Sequence, residues 1–85
     1  LDMVRTTEQI SPADIDYLSQ WDLLVARNTI YAIHGRIFQD KTLQTYFASF
    51  PWYKPNPKYH EGLLSPLEKH NANVILKLEQ KKGYL

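Results

Sequence analysis

From Trp21 to His34 the apolar positions recur at steps of three and four rather than two. Trp21, Leu24, Asn28, Tyr31 and Gly35 form one stripe, and Leu23, Arg27, Ile30 and His34 form another on nearly the opposite side, with only Asp22 and Thr29 marking a wet edge. That period is helical, and a helix apolar around most of its circumference sits at the centre of its domain. Gly35 then reads as the residue just past the helix end, where a left-handed backbone turns the chain toward Phe38. Leu43, Tyr46, Phe47 and Phe50, at i, i+3, i+4 and i+7, predict another helix from Lys41 to about Phe50 with one aromatic face. A last helix from Pro66 to about Lys82 buries Leu67, Val74, Ile75 and Leu78, with Asn71 on the same face.

Start signals agree with these periods. Ser11-Pro12-Ala13-Asp14 sets a hydroxyl at the N-cap, proline at the first helical position and a carboxylate facing the free amides of the first turn. Ser65-Pro66-Leu67-Glu68 repeats the device as a capping box, Ser19-Gln20-Trp21-Asp22 is a third copy, and Asp40 caps a fourth helix. Each cap lowers the cost of nucleating a helix that would be marginal alone. The predicted fold is therefore all-α: a compact bundle of four short helices around the central one at about 21–34. A loop at about 51–64 joins the last two helices. Its three prolines cannot continue a helix, and docking of Trp52, Tyr53 and Tyr59 on the core makes it ordered. The reading divides the chain into an N-terminal extension (1–10), one helical domain (11–82) and a short tail (83–85).

Composition narrows the function classes. Eighty-five residues suit one core and no second domain, and the eleven aromatics, with a hydrophobic fraction of 44% and a net charge of +1, argue against disorder. With no cysteine, disulfides, thiolate-ligated zinc and thiol nucleophiles are excluded. No run approaches the ~18 apolar residues of a membrane span. The chain starts at Leu1 rather than at a methionine, which leads to the expectation of a mature or excised fragment. Five acidic residues face Arg5 alone over positions 1–22, whereas nine bases face four acids beyond. The bases are spread thinly, unlike the dense stripe of a nucleic-acid reader, and a monomer is expected.

No catalytic or metal-binding set stands out. His34, His60 and His70 lack the spacing of a helical zinc site; Ser11, Ser19 and Ser65 serve as caps; no two carboxylates form an acid/base pair; and three glycines make no phosphate loop. No cofactor is called for. What remains is a polar set within apolar stripes. As scaffold, Asn28 and Asn71 hydrogen-bond the backbone ends of loops, Arg27 pairs with a carboxylate such as Glu68, and His34 meets a carbonyl. As a site, Arg27, Tyr31 and His34 join Trp52, Tyr53 and Tyr59 along a groove for a glycan or peptide, where aromatic faces stack and polar groups orient the ligand.

The segment Arg27-Asn28-Thr29-Ile30-Tyr31-Ala32-Ile33-His34-Gly35-Arg36-Ile37-Phe38 resembles the signature of the YARHG domain family, whose name spells a Tyr-Ala-Arg-His-Gly core. Four of the five letters are present, and Ile33 stands where the name has Arg. Leu43, Tyr46-Phe47, Trp52-Tyr53 with Pro55, and Leu64-Ser65 with Glu68 and Asn71 continue the resemblance over roughly 11–80. It makes Asn28, Gly35, Phe38, Glu68 and Asn71 structural motif positions. It also implies a bacterial extracellular module of secreted proteins or lipoproteins, not an enzyme, whose partner is an envelope glycan such as peptidoglycan or an envelope protein. The alternative is a docking or spacer domain in which the motif serves folding only.

Overall fold

The computed structural model describes residues 9–85; the first eight positions of the expected extension lie outside the described residues. Four α-helices follow one another, with no strand among the described residues: α1 (Pro12–Ile15), α2 (Gln20–Ala32), α3 (Lys41–Ala48) and α4 (Pro66–Lys81). The all-α expectation holds. A short 3-10 turn, Glu61–Leu63, interrupts the loop before α4.

All four starts form at the caps the sequence marks. Ser19 Oγ accepts the Asp22 amide at 3.1 Å, Asp40 Oδ1 accepts that of Leu43 at 3.0 Å, and Ser65 Oγ accepts that of Glu68 at 3.1 Å while Glu68 Oε1 accepts the Ser65 amide at 2.8 Å. At α1 the Asp14 carboxylate accepts both the Ser11 amide (2.8 Å) and the Ser11 hydroxyl (3.0 Å). The helix ends are less regular. α2 stops at Ala32, two residues before the expected His34, and α3 stops at Ala48 rather than Phe50.

The end of α2 is a Schellman turn. The Gly35 amide bonds to the Ala32 carbonyl at 2.9 Å and the Arg36 amide to the Tyr31 carbonyl at 3.3 Å, with Gly35 at φ +88°. The same turn closes α4: Gly83 (φ +76°) lets the Tyr84 amide reach the Glu79 carbonyl at 2.8 Å, which brings the Tyr84 ring onto the core.

Two clusters of buried side chains share α2 between them. Leu23, Ala26 and Ile30 join Ile10, Ile15, Leu18, Leu64, Ala72, Ile75 and Leu78 in an aliphatic core between α1, α2 and α4, against which Tyr31 and Tyr59 pack. Ala32 joins Phe38, Leu43 and Phe47 in a second core, where Leu24, Tyr46, Phe50, Trp52 and Tyr53 pack. The rings of this second core interlock. Phe38 stacks on Phe47 at 4.9 Å, Phe50 stacks on Trp52 at 5.5 Å, and Tyr46 meets Phe47 edge-on at 5.1 Å. Two expectations fail on α2. Thr29 is buried rather than wet, because its hydroxyl donates to the Val25 carbonyl at 2.6 Å and so needs no solvent. Trp21, expected in the core, is 40% exposed; it lies in the first turn of the helix, where Tyr46 covers one side of its ring system and neither cluster covers the rest.

Candidate functional site

The motif segment is positioned by the pairing of α2 with α4. Arg27 meets Glu79 and His34 meets Glu68, so the partner's number falls as α2 advances: the two helices run antiparallel. The Arg27 guanidinium straddles the Glu79 carboxylate, with Nε donating to Oε1 at 2.6 Å and a terminal nitrogen to Oε2 at 3.5 Å. Glu79 is 1% exposed and Arg27 16%. Burial works against the Arg27 charge, yet the Glu79 hydrogen bond and charge outweigh it, and the pKa of Arg27 is raised. The expected Arg27–Glu68 pair is thus replaced by Arg27–Glu79, because the antiparallel register carries Glu68 to the far end of α2.

There Glu68 faces His34, which meets this carboxylate and not a carbonyl. His34 Nε2 lies 2.8 and 2.9 Å from the two Glu68 oxygens. An ionised carboxylate only accepts, so Nε2 carries the proton and donates. Burial opposes ionisation of Glu68, but the Ser65 amide and the His34 ring prevail and hold its pKa below the ordinary carboxylate value. Glu68 is therefore a cap and a cross-link together. Asn71 is buried, and its Oδ1 accepts the Ile10 amide at 3.0 Å, fixing the strap before α1 as expected for a loop end. Asn28 instead donates to the Leu24 carbonyl of its own helix at 2.8 Å; its side chain reaches no loop because the preceding turn is nearer.

Gly35 anchors the proline segment. A β-carbon there would lie 2.6 Å from Asn56 Cβ and 2.7 Å from the Lys54 carbonyl, an approach only glycine permits. The Asn56 amide donates to the Gly35 carbonyl at 2.7 Å, and the Tyr53 hydroxyl donates to the Arg36 carbonyl at 2.6 Å. Arg36 lies over the rings of Tyr31 (5.1 Å) and Phe38 (5.9 Å), a cation–π bridge between the two cores. Ile33, where the family name has Arg, is 40% exposed.

The six candidate binding residues are brought together only in part: Arg27, Tyr31 and Tyr59 neighbour one another beside the aliphatic core, and Trp52 and Tyr53 lie together in the aromatic one. Arg27 is locked to Glu79, His34 to Glu68, and Trp52 and Tyr53 belong to the aromatic core. Tyr31 lines a hollow with Glu61, Leu64 and Lys69. Tyr59 lines a different one with Arg36, Asn56 and Glu61; among the described residues its buried hydroxyl makes no hydrogen bond of good geometry, and burial, aided by the neighbouring Glu61 carboxylate, pushes its pKa up to about 12. Among the described residues no group of three or more His, Cys, Asp or Glu stands together as a metal site, and no helix is long and apolar enough to cross a membrane.

Sequence reasoning missed Glu79, a charge within the apolar face of α4, and the exposure of Trp21. The signal for the first was present: Glu79 follows Ala72, Ile75 and Leu78 at core spacing, and a carboxylate there requires a cation opposite.

A four-helix domain with charges paired across its central helices defines a small all-α scaffold. Residues 3–80 match the YARHG domain, and the chain belongs to that family. Among solved structures, it is similar to the crystal structure of a "putative nutrient binding protein" from Legionella pneumophila subsp. pneumophila str. Philadelphia 1, with a TM-score of 0.71 and 40% sequence identity. That match covers 76% of this chain and 20% of the other, so the chain spans about a fifth of that protein's length. No curated protein matches it.

Proposed function

We propose that this domain is a non-enzymatic interaction module of a bacterial secreted or cell-envelope protein, monomeric, without a cofactor, and that it binds an envelope glycan. The observation that carries the reading is that the motif's charged groups are engaged in cross-helix pairs, Arg27 with Glu79 and His34 with Glu68. His34 Nε2 is engaged by Glu68, which the Ser65 amide also holds. Neither residue lines the hollows at Trp21, Arg36, Tyr31 or Pro12. The surface that remains is suited to binding, with Tyr17, Trp21, Ile33 and Ile37 all exposed. The structural relative named for nutrient binding supports a binding role for a longer protein that contains such a domain. The test is co-sedimentation of the purified domain with insoluble cell wall. Saturable retention, competed by soluble wall fragments, is expected. Without retention the glycan reading fails, and the domain stands as a docking or spacer unit for an envelope protein.

A further inference from the structure

The glycan reading rests on no particular surface, and the residues the sequence suggests for it, Trp52, Tyr53 and Tyr59, are packed against the two cores. A different aromatic is available. Trp21 opens α2 and is 40% exposed. Its ring stands perpendicular to that of Tyr46 on α3, at 88° with centroids 5.7 Å apart. The two rings border a shallow hollow of about 520 Å³ whose remaining lining is Lys41, Thr42 and Thr45, all on the first turns of α3.

The chemistry of this lining is selective. Lys41, Thr42 and Thr45 are exposed. Their side chains enter none of the ion pairs of the described residues, and the α3 cap is made by Asp40 instead. They leave two hydroxyls and an ammonium directed by a helix that Leu43 and Phe47 anchor in the core. A hydroxyl both donates and accepts, and an ammonium only donates. A sugar ring matches this set, with an apolar C–H face to lie on an aromatic ring and a rim of hydroxyls that donate and accept. A protein hot spot would instead need a dry apolar pocket around the tryptophan, whereas here polar groups flank it. We infer that Trp21, Tyr46, Thr42, Thr45 and Lys41 form a carbohydrate-binding site, with Trp21 as the stacking platform and the α3 side chains as the polar rim.

The inference rests on the glycan reading for its ligand class but names its own site, and the experiment separates the two. A soluble oligomer of N-acetylglucosamine is titrated into the domain, followed by calorimetry and by the indole N–H resonances of Trp21 and Trp52. Binding that moves the Trp21 resonance and leaves that of Trp52 in place is expected. Trp21→Ala should weaken binding about tenfold, and Thr45→Val, which keeps the side-chain shape and removes the hydroxyl, about threefold. Thr45 is exposed, so Thr45→Val should leave melting nearly unchanged, whereas Trp21→Ala gives up the edge-on contact with Tyr46 and should melt somewhat lower; if Trp21→Ala fails to fold, Thr42→Val with Thr45→Val carries the test. Cell-wall retention that persists in Trp21→Ala and in the threonine variants overturns the site while leaving the glycan reading intact. Absence of all sugar and wall binding overturns both. A Trp21 shift that depends on protein concentration without sugar identifies the hollow as a contact between copies of the chain and also overturns the proposal.

Discussion

The two cores on either side of α2 are built differently. The aliphatic one joins elements far apart in sequence, from Ile10 to Leu78, and is tied by ionic or amide contacts at Arg27–Glu79, His34–Glu68 and Asn71–Ile10. The aromatic one gathers mostly residues 38–53, close in sequence, and is held by ring contacts with the Tyr53 hydroxyl as a tie back to Arg36. The contrast shows two ways for a domain of this size to reach a fold. Long-range packing needs polar pairs to set register, whereas a local cluster of large rings is brought together by a short chain and needs few.

The strongest way to break this comparison is to hollow out each core in turn. Phe47 and Ile75 are both fully buried, and truncation to alanine should cost about 3–5 and 2–5 kcal/mol respectively. That approaches the whole stability of a domain this small. Because α2 belongs to both cores, urea unfolding followed by tryptophan emission, which reports the aromatic side, and by far-UV circular dichroism should coincide in the wild type and in both variants. Separate transitions would show that the halves are independent and that α2 does not couple them.

Next is the buried ion pair. Glu79→Ala strands the Arg27 charge and should cost about 3–5 kcal/mol, while Arg27→Met combined with Glu79→Met should recover most of the loss. If the double variant is no more stable than the single one, the pair contributes net stability as well as register.

A smaller effect separates the ends of α4 by pH. The folded Glu68 pKa lies below its ordinary 4.5, so the unfolded chain takes up the proton first. Its contribution is complete above about pH 4.5 and is lost as pH falls through the lowered folded value. Glu68→Gln should flatten the acid limb of a denaturation series in that window, leaving the slope from Asp14, whose pKa its Ser11 hydrogen bonds also lower. An unchanged acid limb would remove His34–Glu68 from the list of contacts that stabilise this side.

The smallest effect has the opposite sign. Among the described residues the Tyr59 hydroxyl makes no hydrogen bond of good geometry where it is buried at the edge of the aliphatic core, beside Glu61. Tyr59→Phe should therefore raise stability by up to about 1 kcal/mol, measured as a higher melting temperature. A loss instead would mean that the hydroxyl is held by the Glu61 carboxylate or by water.

Much of this was legible along the chain because it is local. A cap involves residues three apart, so Ser19, Asp40 and Ser65 could be read without knowing what packs on them, and Gly35 announces its turn through the backbone freedom that the position demands. Trp21 could not be placed this way. Its stripe on α2 is apolar, but whether a stripe residue is covered depends on where a neighbouring helix ends, and Tyr46 covers only part of its ring system.

The amino-acid order by itself determined that the chain is helical, where each helix begins, that Gly35 ends the central one, and, through the Arg27–Phe38 segment, the family. These follow from interactions within a few residues of one another. Tertiary structure alone decided that Arg27 answers Glu79 and His34 answers Glu68, that the motif aromatics are packed, and that Trp21 is left open to solvent. Those outcomes depend on the antiparallel register of α2 and α4 and on the docking of α3, which sum many weak contacts between residues distant in the chain.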